Sequence, residues 1–397
     1  MRILLIGNFP PDRQESMLRF CGMMSEGLKD LGHEVDTWHP IPAASRLVSN
    51  YRYGGFPKYL GYFDKFVAFP RIARRRLAAA AAANRLPDIV HIVDQANGVY
   101  GGLFKGLPHL VTCHDLLQVR AARGEFPSHG LNGRARRHQQ WILRSLGGVP
   151  MVVCCSQKTL GDLLRLTGRP AERARVVHNG LNYPFAPIPR PEARSTLLQL
   201  LMKRGLALDR LGGDAGGFVL NVGGGQWYKN RPALLRIYAS LRRRLSPAPS
   251  MLMVGKPLSP DDARLARELG VAPDILLLSD VSGRELEAAY GAAEALIFPS
   301  LEEGFGWPVA EAQACACPVF TTGRPPMTEV GGEGASYFDP ALADEAAALI
   351  AGAWPRRRQL GHRGLARAAA WDPRLMLEGY MAVYAEMAEA PATLATP

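Results

Sequence analysis

Short runs of aliphatic and β-branched residues alternate with longer, more polar segments along almost the whole chain. Such apolar runs, bounded by turn residues, are typical of buried parallel strands, and the segments between them have helical spacing. In the first half this pattern predicts six strands, over Arg2–Gly7, Glu34–Trp38, Ile89–Val93, Leu110–Cys113, Met151–Cys154 and Arg175–Val177. It predicts intervening helices near Ser16–Leu31, Ile72–Asn84, Arg134–Leu146 and Gln157–Leu166.

The proline-rich segment Asn182–Pro191 suits neither element and is predicted to be a linker. A second series of strands is predicted after it, over Phe218–Val222, Met251–Val254, Ile275–Leu278, Ala295–Phe298 and Val319–Thr321. Its helices are predicted near Pro232–Leu245, Asp261–Leu269, Arg284–Ala292, Val309–Ala314 and Pro373–Ala388.

Repeated strand–helix alternation on both sides of a linker predicts an α/β protein of two doubly wound, Rossmann-like domains facing one another across a cleft. The length of 397 residues agrees with two domains. We place the first at 1–185 and the second at 192–372. Because ligands of such sheets bind beyond the carboxyl ends of the strands, the active site is expected in the cleft.

Composition fits a soluble globular protein, with 47% hydrophobic and 21% charged residues. No apolar run is long enough to span a membrane, and the N-terminal segment is predicted to be a first strand rather than a signal peptide. The six cysteines lack zinc-finger spacing, so we expect buried free thiols and a cytoplasmic location.

Positive charge is concentrated in the first half of the chain. Residues 1–190 hold 26 Lys and Arg against 13 Asp and Glu, a net +13, whereas residues 191–397 hold 21 against 23, a net −2. The segment Asn50–Tyr59 mixes aromatic and basic residues, and Arg71 and Arg74–Arg76 follow it. Either an anionic membrane surface, on the inner face of the membrane, or simply a solvated basic face would explain this pattern. No nucleic-acid-binding module is visible, so nucleic acid is not expected as a partner.

The strongest chemical signal lies directly after the predicted strand Ala295–Phe298. There, Glu303 and Glu311 bracket a turn containing Gly304, Phe305 and Gly306 that opens into a helix. Glycines let backbone N–H groups approach a ligand, and the start of a helix favours an anion. Carboxylates on each side can accept hydrogen bonds from sugar hydroxyls, so the segment predicts a site for a phosphate attached to a polyol.

Pro308 is predicted at the first position of this helix, where its missing N–H costs nothing. A simpler interpretation, in which the two acids only complement a helix N-terminus, accounts for one glutamate but not for the whole run.

A second glycine-rich turn, Gly223-Gly224-Gly225, follows the predicted strand Phe218–Val222 and leads to Lys229 and Arg231. A glycine turn followed by a cation at a helix start suits a diphosphate. The pattern is neither a P-loop nor a dinucleotide-binding fingerprint.

These motifs resemble the donor-site signature of retaining glycosyltransferases of the GT-B fold, family 4. The resemblance continues through Glu311–Val319, Met327–Gly332 and Tyr337–Pro340, is strong over residues 218 to 340, and is more diffuse before them. It implies transfer of a hexose from a UDP- or GDP-sugar to a saccharide or lipid-linked acceptor, with retention of configuration, in cell-surface polysaccharide or lipopolysaccharide synthesis. It also implies that the last helix, within 373–397, packs back onto the first domain.

The resemblance also assigns roles to residues of this chain. Glu303 is implied to contact the transferred sugar, Glu311 the ribose, and the N–H groups of the turn the diphosphate. Lys229 and His114 are implied to contact the donor phosphate or sugar. The residues implied to line the remainder of the donor site are Gly223, Gly224, Gly255, Lys256, Val281, Gly304, Phe305 and Gly306.

Two departures from the family pattern bear on the site. Position 224 is glycine where the family usually has arginine, and Arg231 or the glycine N–H groups are candidates to supply the missing charge. The loop after the first strand lacks the usual Gly-Gly pair, so Arg13 and Ser16 are the candidates on the acceptor side.

No Asp-x-Asp occurs in the sequence, so neither a metal-clamped donor nor another cofactor is expected. Two other functions stay open: a GT-B sugar-nucleotide epimerase or hydrolase, and a non-catalytic sugar-nucleotide-binding protein.

Overall fold

The structure, a computed structural model, describes residues 1–48, 55, 57–206 and 217–389. These residues form two compact units. Unit 1 comprises Met1–Asn182 and the segment from Pro373 onward, and unit 2 comprises Tyr183–Asp372. Each unit is built around its own parallel six-stranded sheet covered by helices.

Unit 1 contains a sheet with the strand order β2-β1-β3-β4-β5-β6. Its strands are β1 (Arg2–Ile6), β2 (Glu34–Trp38), β3 (Ile89–Ile92), β4 (His109–Cys113), β5 (Met151–Cys154) and β6 (Ala174–Val176). Its helices up to residue 182 are α1 (Glu15–Asp30), α2 (Pro57–Phe63), α3 (Phe69–Ala82), α4 (Leu117–Ala122), α5 (Gly133–Gly148) and α6 (Gln157–Thr167). Strands β3, β4 and β5 are buried along their whole length, as expected for parallel strands with helices on both faces.

Unit 2 contains a sheet with the order β12-β11-β10-β7-β8-β9. Its strands are β7 (Phe218–Val222), β8 (Ser250–Val254), β9 (Ile275–Leu278), β10 (Ala295–Phe298), β11 (Val319–Thr322) and β12 (Ala335–Phe338). Its helices are α7 (Arg190–Lys203), α8 (Arg231–Arg242), α9 (Pro260–Glu268), α10 (Gly283–Ala292), α11 (Trp307–Ala314), α12 (Met327–Gly331), α13 (Ala343–Ala353) and α14 (Arg357–Ala368). The order of the strands reverses between β7 and β10, so their carboxyl ends form the topological switch point of this sheet.

The last helix, α15 (Pro373–Glu389), belongs to unit 1 and is held to its sheet by buried hydroxyl groups. The hydroxyl of Tyr384 lies 2.7 Å from Nδ1 of His91, whose Nε2 lies 2.7 Å from the Thr112 hydroxyl. That hydroxyl lies 2.8 Å from the hydroxyl of Tyr380. The network thus gives both ring nitrogens of His91 and the hydroxyls of Thr112, Tyr380 and Tyr384 hydrogen-bond partners, as buried polar groups require.

The prediction of strands from the sequence is confirmed in all eleven cases, with ends that agree within one residue. It missed β12, and it missed the helices α2, α4, α7, α12, α13 and α14. The predicted linker is also two residues too long, because α7 begins at Arg190 and accommodates Pro191 in its first turn, where no N–H is needed.

The predicted aromatic and basic segment Asn50–Tyr59 falls largely outside the described residues, at positions 50–54 and 56. All six cysteines are buried free thiols, as predicted. Among the described residues no helix combines the length and the hydropathy that crossing a bilayer would need.

Candidate functional site

The two glycine-containing turns of unit 2 meet at the switch point between β7 and β10. The backbone N–H of Leu301, after β10, donates to the carbonyl of Tyr228, after β7, at 2.7 Å. The side-chain amide of Asn230 donates to the carbonyl of Pro299 at 3.3 Å. Both turns are therefore fixed to one another at the edge of the sheet where doubly wound proteins bind ligands.

Lys229 and Glu303 form an ion pair at this junction. The Lys229 ammonium lies 2.7 Å from Oε1 of Glu303, and the two side chains are only 16% and 11% exposed. The Ser300 hydroxyl donates to the same carboxylate oxygen at 2.6 Å. The ammonium also lies 5.1 Å from the ring centre of Phe298, so the cation is flanked by an aromatic face.

The turn after Glu303 opens directly into α11. Gly306 is the N-cap residue with φ +98°, a left-handed conformation that favours glycine. The helix starts at Trp307, one residue earlier than predicted, so Pro308 is in its first turn but not at its first position. Phe305 is buried, with its ring 5.3 Å from that of Trp371, and its side chain anchors the turn.

Glu311 is buried one turn along α11. Its Oε2 accepts a hydrogen bond from the hydroxyl of Tyr290 on α10 at 2.8 Å. Burial, together with the Glu311 charge, raises the pKa of Tyr290 well above its usual value, so the phenol keeps its proton and stays a donor. The carboxylate is thereby held in one orientation by a side chain from another helix.

The turns after β7 and β8 approach one another closely at Gly223 and Gly255. A Cβ atom at Gly255, whose φ is +144°, would fall directly on the carbonyl oxygen of Gly223. Arg231 is 4% exposed and donates to the carbonyls of Pro257 at 2.8 Å and Lys256 at 2.6 Å. Its guanidinium, one of the two candidates to supply the missing phosphate-binding charge, thus donates to backbone carbonyls of these turns.

The remaining predicted donor residues lie around the same edge of the sheet. Gln226 covers Gly224 and occupies the space into which a side chain at position 224 would extend. Lys256 is exposed after β8, and Val281 is half-buried after β9. Among the described residues no group of three or more His, Cys, Asp and Glu side chains is arranged to hold a metal ion.

His114 lies in unit 1, at the carboxyl end of β4, and is almost fully buried. Its Nε2 lies 3.0 Å from the Val93 carbonyl, which can only accept, so Nε2 carries the proton. Burial lowers the pKa of His114, although the charge of Asp94 opposes this shift. The Phe20 ring packs edge-on against the imidazole at 4.7 Å, so the structure holds the side chain as a neutral, oriented donor.

Arg13 and Ser16, the candidates on the acceptor side, are both exposed. Arg13 follows a short 3₁₀ turn, Pro10–Asp12, with φ +50°, and Ser16 is in the first turn of α1. Next to them Asp12 forms a buried ion pair with Lys65 at 2.6 Å. This pair was not predicted from the sequence.

Three residues that position the candidate site were missed from the sequence. Ser300 is three residues before Glu303, a spacing that could have suggested a hydrogen bond. Tyr290 and Asn230 carry no such signal, because they are 21 and 69 residues away from the groups they contact.

Two family models match the chain side by side. Glycosyltransferase Family 4 matches residues 18–183, and Glycosyl transferases group 1 matches residues 214–359. Together these two glycosyltransferase family models span most of the chain, and its fold is that of GT-B glycosyltransferases.

Particular relatives and solved structures agree with this family. A D-inositol 3-phosphate glycosyltransferase of Salinispora arenicola is 30% identical over 260 residues, 62% of this chain and 55% of that protein. The O-antigen chain mannosyltransferase B of Escherichia coli is 27% identical over 273 residues, 65% of each chain. The crystal structure of Anabaena HepE with UDP and glucose covers 97% of this chain and 100% of its own, with a TM-score of 0.70 at 16% identity, a likeness of fold. The chain spans 55% and 65% of the length of these two curated relatives.

Proposed function

We propose that this protein transfers a hexose from a UDP- or GDP-sugar to a hydroxyl group of a saccharide or lipid-linked acceptor, with retention at the anomeric carbon. The observation that carries the proposal is the Lys229–Glu303 pair beside the glycine-containing turn that opens into α11, at the switch point of unit 2. A cation, a carboxylate and the start of a helix at one sheet edge suit a diphosphate joined to a sugar.

In this proposal each group has a separate task. Lys229 and the N–H groups at the start of α11 stabilise the negative charge that develops on the diphosphate as it leaves. Glu303, held by Ser300, contacts the hydroxyls of the transferred sugar. Glu311, oriented by Tyr290, accepts hydrogen bonds from the ribose.

Removing one such charge-stabilising donor typically costs about 3–4 kcal/mol of transition-state stabilisation. Because these groups already supply positive charge, we propose that transfer needs no divalent metal. Unchanged activity in excess chelator would agree with this; loss that only Mg²⁺ or Mn²⁺ restores would contradict it.

We assign unit 1 to the acceptor. His114, whose Nε2–H is directed to the Val93 carbonyl, is proposed to accept a hydrogen bond from a hydroxyl of the donor sugar through Nδ1. Arg13 and Ser16 are proposed to contact the acceptor. The relatives are named for D-inositol 3-phosphate and for an O-antigen chain, which supports a polyol or saccharide acceptor in cell-surface glycan synthesis. The net charge of +13 in residues 1–190 supports an anionic membrane surface as a further partner.

The test is a thermal-shift screen of UDP-, GDP- and ADP-sugars, followed by product analysis with the donor that binds. A ligand at 100 times its dissociation constant adds about 2.7 kcal/mol to the stability of the folded protein. NMR of the product gives its anomeric configuration, and an inverted glycoside would reject retention. Release of free nucleotide without a glycoside would indicate an epimerase or hydrolase, and binding without turnover a non-catalytic protein.

Glu303→Ala is the decisive variant, with Glu302→Ala as its control one position away. We expect the first to abolish transfer with the fold intact and the second to retain most of it. Near-normal transfer by Glu303→Ala would reject the assigned role.

A further inference from the structure

Helices α2 and α5 of unit 1 pack against one another through aromatic rings. The Tyr62 ring stacks on His138 at 5.9 Å, and Phe66, just beyond the end of α2, meets Trp141 edge-on at 5.1 Å. The guanidinium of Arg134 donates to the hydroxyl of Tyr59 at 3.1 Å. The two helices therefore form one continuous surface.

This surface leaves large aromatic side chains in solvent. Tyr59 is 52% exposed, Phe63 49% and Trp141 42%. A soluble protein normally has isolated exposed apolar residues, whereas a group on adjoining helices marks a surface for interaction. Tyr and Trp combine an apolar ring with a polar group, so they are enriched where water meets lipid.

The same surface carries only positive charge. Helix α5 contains four arginines and no acidic residue, and Arg134, Arg137 and Arg144 share the side of the helix that bears Trp141. Helix α2 has no acid either. Asp64, which follows it in a π-helical turn, is buried and accepts from the hydroxyl and N–H of Ser45.

We infer that this surface binds an anionic phospholipid bilayer. We call it the docking patch. It consists of Tyr59, Phe63, Trp141, Arg134, Arg137 and Arg144. The aromatic rings would enter the interface between headgroups and acyl chains, and the arginines would contact lipid phosphates. An acidic protein or a nucleic acid would use the arginines but gain less from burying three exposed rings, which is why we favour the bilayer.

The inference rests on the proposed function in one respect: a membrane is chosen as the partner because a lipid-linked acceptor would lie in a membrane. It locates the contact on two helices of unit 1, well separated in sequence from the donor-binding turns. Donor binding and membrane binding are therefore expected to fail independently.

The test is co-sedimentation of the full chain with phosphatidylcholine vesicles, with and without phosphatidylglycerol, at low and high salt. Binding should require phosphatidylglycerol and weaken with salt. Arg134→Gln, Arg137→Gln and Arg144→Gln together should weaken it roughly 100-fold at low salt, since each arginine near an anionic leaflet contributes about a fivefold factor.

The matched control replaces three exposed arginines of unit 2, Arg356, Arg358 and Arg363, by glutamine. It removes the same net charge and should change vesicle affinity less than about fivefold. Both triple variants should keep the thermal shift given by UDP or GDP, which shows that they are folded. Glu303→Gln should bind vesicles like the unmodified protein, whatever its effect on transfer.

The contribution of the rings is tested by fluorescence. A blue shift on adding anionic vesicles should disappear in Trp141→Phe, whereas binding should persist because phenylalanine keeps the apolar contact. Absence of vesicle binding at low salt, or equal losses in the two triple variants, would overturn the inference. Tighter patch-dependent binding to a DNA duplex than to vesicles would overturn it as well.

Discussion

The Lys229–Glu303 ion pair is expected to stabilise the fold but to compete with nucleotide binding, and a double-mutant cycle separates these two effects. The cycle uses Lys229→Met, Glu303→Gln and the two together. Methionine keeps the aliphatic length of the lysine, and glutamine keeps the shape of the glutamate and an oxygen that accepts from Ser300. Each substitution thus removes a charge and little else.

The expected magnitude follows from the geometry. Unit charges 2.7 Å apart attract by about 6 kcal/mol at an effective dielectric constant of about 20. Removing both ions from water offsets much of this, which leaves a coupling free energy of about 2–3 kcal/mol. Lys229→Met should cost more stability than Glu303→Gln, because in the second variant the ammonium keeps the Phe298 ring beside it and is the more exposed of the two charges, whereas the first leaves the more buried carboxylate without its cation.

Nucleotide binding should follow a different order. A diphosphate competes with Glu303 for the ammonium, so Lys229→Met should weaken UDP or GDP binding on the order of 10- to 100-fold. Glu303→Gln should leave this affinity unchanged or raise it, because it removes the competing carboxylate. The double variant should bind as weakly as Lys229→Met.

The assays are urea denaturation for stability and isothermal titration with UDP and GDP for affinity, with Glu302→Gln as the control. A coupling free energy below about 0.5 kcal/mol would show that the ion pair does not stabilise the fold. Unchanged nucleotide affinity in Lys229→Met would refute its assignment to the diphosphate.

Two further predictions concern the framework of each unit. Gly255→Ala should destabilise unit 2 by about 2 kcal/mol or more in urea denaturation and weaken nucleotide binding, because the new Cβ falls on the Gly223 carbonyl. The control is Gly352→Ala, at a helical glycine with open space around it, which should change little. Equal effects of the two substitutions would contradict this explanation. Burial lowers the pKa of His91 to about 3, so unfolding takes up a proton as the pH falls below 6.5 and stability is lost with acid. From pH 7 to pH 5 this lowers the free energy of unfolding by about 2 kcal/mol. His91→Gln should remove this loss while keeping a hydrogen bond to Tyr384. An equal loss in the variant would show that another group causes the pH dependence.

The helices that the sequence analysis missed show where local pattern fails. Helix α14 contains Gly361 and Gly364, which locally indicate a helix break. In the structure a Cβ at Gly361 would strike the carbonyl of Ala316, and Gly364 lies against Gly334. These glycines are required by close packing of one segment on another, and that contact is invisible in the sequence.

The candidate site, too, was only partly predictable from local sequence. The sequence placed Glu303, Gly306 and Lys229 on turns after strands, because strand, glycine and helix follow one another within a few residues. Arg231 was one of two candidates for the missing phosphate-binding charge, and only the folded chain shows that its guanidinium donates to the backbone carbonyls of Lys256 and Pro257. The sequence alone does not distinguish a charged side chain that binds a ligand from one that donates to a buried carbonyl.

By itself, then, the sequence determined the two parallel sheets and the turns that carry the donor-site candidates, since burial on both faces imposes an apolar run on each strand. Only the tertiary structure decided which groups touch. Lys229 reaches Glu303 across 74 residues because β7 and β10 are neighbours in the sheet, and Tyr290 reaches Glu311 because α10 lies beside α11. Strand order and helix packing set these contacts through the burial of the whole chain, and no local stretch of sequence contains that information.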